Sequence, residues 1–348
     1  KRWKYSGTLT YSFNKRDYVV WEFPKHYISA TYSYDVMSPM DKFLFTDKDN
    51  IFLSLKTTTV DQMSYMSDAT INYELETPTG FGVKAMLRPR NDEPTGKLEY
   101  LRNDAAQTRV HDVTTSEASM TLRYAPGESF VNSKQRRVPV SLDAPVFTLT
   151  HAMGFKGVLG GEYNFNRTEA SIWKRFWLPA SWGKIDCSVK AGAEWNTVPF
   201  PLLILPEANL SYITQRETFC LINNMEFLND RFASMSISYD MNGKLFNRIP
   251  LLKNLKWREM FRVRALWGTL TDKNNPFKSS NPDLFRFPTR DGKFTSFVMD
   301  PKVPYVEASV GIYNIFKLLH VEYVHRFTYR DNPGINKNGI RFMVLMVF

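Results

Sequence analysis

The sequence predicts an all-β protein that folds as a transmembrane antiparallel β-barrel of about 16 strands, within a range of roughly 14 to 18. Three observations predict this fold class. Alternation of apolar and polar residues recurs from end to end, aromatic residues make up 15% of the chain, and the C-terminus is apolar and ends in Phe348. A mean hydropathy of -0.35 fits a barrel because only alternate strand residues face lipid.

The alternation is clearest in residues 183–195, where Ile185, Cys187 and Val189 share one face while Ser188 and Lys190 share the other. Such a period of two is typical of a strand with one apolar face. The same pattern occurs in residues 5–13, 28–34, 232–241, 305–312 and 319–328. Further strands are expected near residues 51–60, 69–75, 81–87, 97–101, 118–124, 146–153, 158–177 and 260–271.

Short and long connections alternate between these strands. Residues 77–80, 179–183 and 314–317 are short turns, whereas residues 196–216 and 271–303 are long and rich in Asn, Pro and Lys. An outer-membrane barrel has short periplasmic turns and long extracellular loops. Residues 242–257 fall on the expected periplasmic side but are long for a turn, so we expect local structure there.

The C-terminal sequence NGIRFMVLMVF predicts the closing strand of a barrel. A closing strand exposes an unpaired edge until the barrel is complete, and an insertion machine can recognise that edge. Ile340 and the other even-numbered residues are expected to face lipid, and Arg341 to face the lumen. On the same face as Arg341, Met343, Leu345 and Val347 are apolar, which predicts a filled lumen. The residues of the predicted insertion signal are Asn338, Gly339, Phe342, Val344 and Phe348.

A pair of soluble β-sandwich domains would also alternate, but the strand-dense pattern continues to the last residue without a linker. We therefore predict one barrel domain over residues 1–348. No stretch approaches the roughly 18 apolar residues of a membrane-spanning helix. The chain begins at Lys1 without an initiator Met, so we expect a signal peptide and periplasmic domains upstream in a longer protein.

The sequence carries no motif of a catalytic, nucleotide or metal site, so neither an enzyme nor a cofactor or bound metal is expected. The net charge of +10 is dispersed along the chain, which weighs against nucleic-acid binding. Cys187 and Cys220 match no metal spacing. We expect two unpaired structural cysteines, one of them facing lipid. A disulfide between them is the alternative.

Four stretches in the last third of the chain carry a family resemblance. They are INNMEFLNDRF, FNRIPLLKNLKWREM, LWGTLTDKNNP and VPYVEASVGIYNIFKLLHVEYVHRFTYRDNPG, in chain order from residue 222. Together they resemble a Bacteroidota family of barrel proteins of unknown function whose members carry a carboxypeptidase-regulatory-like domain ahead of the barrel. The resemblance covers residues 204–348 well and the first 200 residues only in general character.

The same region is distantly similar to the C-terminal half of BamA-type assembly factors. There, an apolar strand with Glu-Phe precedes a strand ending in Asp-x-Gly, as Glu226 precedes Asp240 here. The resemblance implies a lid loop with Arg216 at its tip, docking on Glu307, Glu322 or Asp240. Glu217 stands where that family has a glycine.

Charges on the predicted inner face have a second interpretation, in which they satisfy one another in a low-dielectric lumen. Arg326 belongs to this predicted network. The complete set of inward charges is Lys190, Glu194, Glu226, Asp240, Arg262, Arg264, Glu307, Glu322 and Arg326.

The sequence thus predicts an outer-membrane protein of a Gram-negative bacterium. The expected function is BamA-like assembly or insertion of outer-membrane proteins, or a platform for envelope proteins. A channel or transporter for a small solute is the alternative. The expected partners are outer-membrane lipid, lipopolysaccharide and other envelope proteins or lipoproteins.

Overall fold

The computed structural model describes residues 2–14, 25–41, 54–132, 137–215 and 217–344. The strands in this part of the chain are β1 (Tyr5–Ser12), β2 (His26–Met37), β3 (Gln62–Glu76), β4 (Phe81–Gly96), β5 (Tyr100–Leu101), β6 (Arg109–Val110), β7 (Val113–Tyr124), β8 (Phe130–Asn132), β9 (Arg137–Pro139), β10 (Val146–Gly154), β11 (Phe165–Trp177), β12 (Lys184–Glu194), β13 (Arg231–Asp240), β14 (Arg258–Thr269), β15 (Thr289–Arg290), β16 (Lys293–Phe294), β17 (Tyr305–Ile315), β18 (Leu319–Arg326) and β19 (Asn338–Val344).

The described strands form one antiparallel sheet of 13 strands in the order β1-β2-β3-β4-β7-β10-β11-β12-β13-β14-β17-β18-β19. The pairs β5–β6, β8–β9 and β15–β16 are small separate hairpins. Neighbours in the sheet follow one another along the chain, as in an up-and-down barrel. The prediction of an all-β protein with one large antiparallel sheet is confirmed.

The main sheet has fewer strands in the described residues than the roughly 16 predicted, because several alternating stretches lie in connections. Residues 97–101 contribute only the two-residue strand β5, and residues 158–164 form a turn before β11. Of the predicted strand 51–60, the described residues 54–60 contain only an isolated bridge from Lys56 to Ser211; residues 51–53 lie outside the described part. Alternation of apolar and polar residues indicates which face of a strand each side chain lies on. It does not indicate which strand is the neighbour.

The predicted faces agree with burial in the strands that carry clear alternation. In β18, Glu322 and Arg326 are buried while Tyr323 is exposed. In β12, Ser188 is buried, Val189 is exposed and Cys187 shares the outward face with Val189. One face of the sheet is therefore an apolar outer surface, and the opposite, inner face is covered.

Most of the buried core is supplied by residues 195–230 between β12 and β13, here called the inserted segment. This segment folds against the inner face of the sheet instead of extending away from it. Its backbone is held there by contacts such as the hydrogen bond from Arg167 Nη2 on β11 to the Leu202 carbonyl oxygen (2.5 Å). Its buried core residues are Val198, Phe200, Leu202, Leu203, Leu205, Ala208, Leu210, Phe219, Ile222, Met225, Phe227 and Leu228.

The sheet curls around the inserted segment, because this segment contacts strands that are far apart in the strand order. Twelve strand spacings of about 4.8 Å would make a flat sheet roughly 57 Å wide. Yet the same segment donates from Asn224 Nδ2 to the Gln62 carbonyl oxygen on β3 (3.1 Å) and pairs with Phe342 on β19. Within the described residues β1 pairs with β2, β19 pairs with β18, and no pairing joins β1 to β19. The gap between these two strands is called the seam.

The connection from β13 to β14 has structure of its own, as predicted from its length. A 3-10 turn at Phe246–Arg248 is followed by the helix α1 (Pro250–Leu255). Lys244 Nζ lies 5.1 Å from the Trp182 ring centroid, which attaches this connection to the preceding turn. Among the described residues, no helix is long and apolar enough to cross a membrane.

A charge on the outer face tests whether that face contacts lipid. For Val189→Arg in vesicles, we expect the free energy of unfolding to fall by about 2 to 4 kcal/mol, because an arginine near the bilayer centre is poorly solvated. Denaturant unfolding followed by tryptophan fluorescence measures this loss. Val140→Arg, at an exposed position outside the strands, is the control with an expected change within about 0.5 kcal/mol. Equal small changes in both variants would argue for a water-facing sheet.

Candidate functional site

The inserted segment docks on the inner face of β14, β17 and β18 through a row of buried charges. Arg264, Glu307 and Arg326 are directly opposite one another on these three adjacent strands. All three side chains are at most 1% exposed. Because an unpaired buried charge is costly, each of them needs a partner, and the inserted segment supplies part of what they need.

Glu307 holds the inserted segment through two backbone amides. Its carboxylate accepts hydrogen bonds from the amide nitrogens of Cys220 (2.8 Å) and Leu221 (3.1 Å). It also accepts from Arg264 Nη1 (2.8 Å) and from the Tyr305 hydroxyl (2.9 Å). One carboxylate therefore joins two strands of the sheet to a loop that is distant in sequence.

Arg326 makes the matching contact with a carboxylate of the inserted segment. Its guanidinium binds both oxygens of Glu226, at 2.6 and 3.0 Å, and donates from Nη1 to the Leu221 carbonyl oxygen at 3.1 Å. The same guanidinium lies 4.8 Å from the Tyr305 ring centroid. Glu226 is thus part of the inserted segment; its assignment to the inner face of a strand was wrong, because residues 222–228 belong to the buried core and join no sheet.

Arg341 on β19 also binds the inserted segment. Its guanidinium donates to the carbonyl oxygens of Cys220 and Ile340, the latter at 3.1 Å. Arg341 is buried and faces inward, as the sequence predicts. Both cysteines are free thiols, and burial raises the pKa of the Cys220 thiol above its usual range, which keeps it protonated and unreactive.

The remaining predicted site residues lie elsewhere on the inner wall. Glu322 pairs with Arg262 at 3.0 Å and accepts from the Ser309 hydroxyl. Asp240 accepts from the Tyr313 hydroxyl at 2.5 Å. Both groups bond within the sheet and are not brought to the inserted segment by these contacts.

The predicted lid tip is only partly described, because Arg216 lies outside the described residues and its docking stays a prediction. Glu217 beside it has φ of 60°, the left-handed conformation that glycine adopts without strain. Its carboxylate is held by Lys190 Nζ at 3.1 Å and the Ser188 hydroxyl at 3.1 Å. Lys190 also pairs with Glu207 at 2.7 Å. Glu217 therefore has a backbone conformation that favours glycine, and its side chain is held by two residues of β12.

Four residues of the predicted insertion signal, Asn338, Gly339, Phe342 and Val344, lie on β19 beside the seam. A Cβ on Gly339 would come within 2.9 Å of Leu221 Cδ2 and of Arg341 Nη1, so glycine lets the inserted segment approach β19. Asn338 accepts a hydrogen bond from the Tyr323 hydroxyl at 2.9 Å. Phe342 and Val344 are exposed on the outer face; Phe348 lies outside the described residues.

The edge of β19 at the seam is paired with the inserted segment. Phe342 donates from its amide to the Tyr212 carbonyl oxygen (2.8 Å), and Thr214 donates to the Phe342 carbonyl oxygen (2.7 Å). On its other side the segment pairs with residues 55–57, through Lys56 and Ser211. No sequence pattern predicted this contact, because it joins stretches with no alternation in common.

The opposite half of the interior is less filled. A cavity of about 440 Å³ lies between the inserted segment and β3, β4 and β7. Its polar wall carries Arg88, which binds Asp68 through two hydrogen bonds of 2.5 and 2.8 Å, and its apolar wall includes Leu203 and Met225. Among the described residues, no cluster of His, Cys, Asp and Glu side chains is arranged to hold a metal ion.

Residues 86–277 match a family described as "Family of unknown function (DUF5686) C-terminal domain". The match covers more than half of the chain, so the protein belongs to this family. A search of curated proteins found no match to the sequence.

Among solved structures, BamA from Haemophilus ducreyi lacking POTRA domains 1–3 is similar over 98% of this chain, with a TM-score of 0.60 and 9% identity. The chain spans 62% of that structure's length. CdiB from Acinetobacter baumannii and OccK11 (OpdR) from Pseudomonas aeruginosa match with TM-scores of 0.33 and 0.34, at 11% and 10% identity. They cover 97% and 92% of this chain, and 56% and 80% of their own chains. The similarity to BamA shows a shared fold.

Arg326→Met tests the docking of the inserted segment. The variant leaves the Glu226 carboxylate buried without its arginine, which we expect to cost about 3 to 5 kcal/mol of stability and to release residues 217–230 to faster hydrogen exchange. Adding Glu226→Met should restore much of the lost stability and slow the hydrogen exchange of residues 217–230 again. Arg262→Met, which strands Glu322 within the sheet, is the control that should destabilise the protein without selective release of the segment. Equal exchange of residues 217–230 in both arginine variants would contradict the docking role.

Gly339→Ala tests the close approach at the seam. The added methyl group would come within 2.9 Å of the ends of the Leu221 and Arg341 side chains, so we expect a loss of about 1 kcal/mol from overpacking and a partial gain on combining it with Leu221→Ala. Thermal unfolding of the two single variants and the double variant measures this coupling. Gly7→Ala on β1, where a Cβ meets nothing within 4 Å, provides the control. Additive losses would show that the two residues do not limit each other.

Proposed function

We propose that this member of the DUF5686 family is the barrel of an outer-membrane assembly or insertion factor that works at the seam between β1 and β19. The observation that carries the proposal is the seam itself. The first and last strands do not pair in the described residues, and the interior beside them is occupied by the inserted segment. On its seam side β1 has no strand partner in the described residues, and an unpaired strand edge is a template for another strand.

The membrane location and a complete barrel form part of the same proposal. The outer face exposes apolar residues along the central strands, among them Ile71, Leu87, Met120, Leu149, Ile172, Val189, Val263 and Val310. Such a face fits lipid, and a Gram-negative outer membrane is where barrels of this type reside. The similarity to BamA supports the fold, and the seam supports the BamA-like activity.

The partners follow from this activity. We propose that they are outer-membrane lipid, lipopolysaccharide and the envelope proteins being assembled, and that the chain is not an enzyme. We also propose that the full protein is a Bacteroidota protein with a carboxypeptidase-regulatory-like domain ahead of the barrel, which would hold clients on the periplasmic side.

A solute channel is the second candidate, and the cavity of about 440 Å³ beside Arg88 favours it. Polar and charged groups along an inner wall are what a conducting pore requires. Against it, the inserted segment fills the half of the interior next to β14–β19 with buried side chains and ion pairs.

Reconstitution separates the two candidates. An unfolded outer-membrane barrel is added to vesicles that carry the protein, and its folding is followed by protease resistance. Vesicles with an unrelated closed barrel serve as the control. We expect faster folding in the presence of the protein and low conductance of the same preparation in planar bilayers. A stable open pore without faster folding would overturn the assembly proposal in favour of the channel.

A further inference from the structure

The edge of β19 that faces the seam is blocked by the chain itself. In an antiparallel ladder, successive residues direct their backbone groups to alternate sides of the strand. Phe342 directs its amide and its carbonyl group toward the seam, since both bond to the inserted segment. Ile340 and Val344 therefore direct their backbone groups to the same edge.

Two different devices cover this edge. Backbone groups of Tyr212 and Thr214 take both backbone groups of Phe342 in a parallel bridge centred on Ile213. The guanidinium of Arg341 takes the carbonyl oxygen of Ile340 at 3.1 Å. Three consecutive hydrogen-bonding positions at the edge, from the Ile340 carbonyl to the Phe342 carbonyl, thus already have partners. Covering an edge in this way prevents pairing with other chains.

Residues 211–214, called here the edge latch, have a fixed shape of their own. The Asn209 side chain donates from Nδ2 to the Ile213 carbonyl oxygen at 2.6 Å, and the Ile213 amide donates to the Ser211 hydroxyl at 2.9 Å. Asn209 and Ser211 are fully buried. The latch therefore has a preformed bend at Tyr212, and it pairs with β19 over one residue pair.

The inserted segment is held through backbone hydrogen bonds on both sides of the latch. Tyr212 donates to the Leu55 carbonyl oxygen at 3.1 Å, and Thr57 donates to the Leu210 carbonyl oxygen at 2.7 Å. Toward β19 it offers two backbone hydrogen bonds. A full strand laid along Asn338–Val344 would offer more, so it can displace the latch by competition.

We propose that the edge latch occupies a strand-addition site on β19, and that a β-strand of a client outer-membrane protein displaces the latch and pairs there. The proposal rests on the assembly function above for the identity of the client. The occupied edge itself follows from the hydrogen bonds. In the resting protein the latch keeps the edge from pairing with arbitrary chains, and displacement couples client binding to movement of the inserted segment.

Two variants with opposite effects test this site, in a background of Cys187→Ala and Cys220→Ala. Thr214→Pro removes the amide that donates to Phe342 and should free the edge. Ile213→Cys with Phe342→Cys places cysteines on residues that are paired in the bridge, and oxidation should lock the latch in place. Oxidised Ile204→Cys with Asn229→Cys is the matched control, because it ties two bridged positions of the inserted segment outside the latch and leaves the contact with β19 untouched.

The client readout is photo-crosslinking from a benzoyl-phenylalanine at position 340 to an unfolded outer-membrane barrel, with the protein in vesicles. We expect the yield to rise in Thr214→Pro, to fall to background in the oxidised Ile213→Cys/Phe342→Cys protein, and to recover on reduction. The control lock should crosslink like the parent. Equal yields in all variants would overturn the latch.

Hydrogen exchange of the Phe342 amide, measured without client, tests whether the latch occupies the edge. This measurement separates a failure of the latch proposal from a failure of the assembly function. Faster exchange of the Phe342 amide in Thr214→Pro than in the control lock supports occupation of the edge. Exchange of that amide unchanged by Thr214→Pro would overturn it. If the exchange responds as expected but no variant crosslinks the client, the latch stands and the assembly function fails.

Discussion

The buried carboxylate of Glu307 is the interaction on which the rest of the interior depends. It binds Arg264 on the neighbouring strand and the amides of Cys220 and Leu221 at once. Because both charges are out of water, neither can be left unpaired without a large penalty. The position of Cys220 and Leu221 then determines which groups Arg326 and Arg341 can reach. The position of Leu221 also determines how closely the inserted segment approaches Gly339. It therefore determines where the segment contacts the edge of β19.

This arrangement divides the interior into two halves with different properties. Next to β14–β19 the inserted segment is held by ion pairs and packed aromatic rings, and its polar contacts are made with the wall. Next to β3, β4 and β7 a cavity remains, and ion pairs such as Arg88 with Asp68 are formed within the wall itself. The segment contacts this half as well, through the hydrogen bond from Asn224 to Gln62 on β3 and the ring contact between Phe200 and Tyr100. The latch lies in the half next to β19, so a shift of the segment there acts directly on that strand.

The sequence predicted the local parts of this structure well and the long-range parts poorly. The faces of β18 and β12, the inward Arg341 and the structured connection before β14 follow from alternation and loop length. The inward Glu307 and Arg326 were also found, since their strands alternate clearly. Their partners were not, because the pairing of Arg264 with Glu307 depends on the register of β14 and β17, which one sequence does not reveal. Glu226 was misplaced for a related reason: an apolar stretch predicts burial equally well in a strand and in a segment that fills a lumen.

Gly339 and Arg341 also bear on the order in which the chain can fold. Arg341 bonds to Cys220, 121 residues earlier in the chain, so the last strand meets a surface that must already exist. Contacts this distant in sequence form late, since the chain between their ends has to be ordered first. β19 therefore depends on earlier folding of the inserted segment. The contacts of Arg341 and Gly339 can form only when the inserted segment is in its native position. In a chain with a misplaced segment, β19 would lack these contacts.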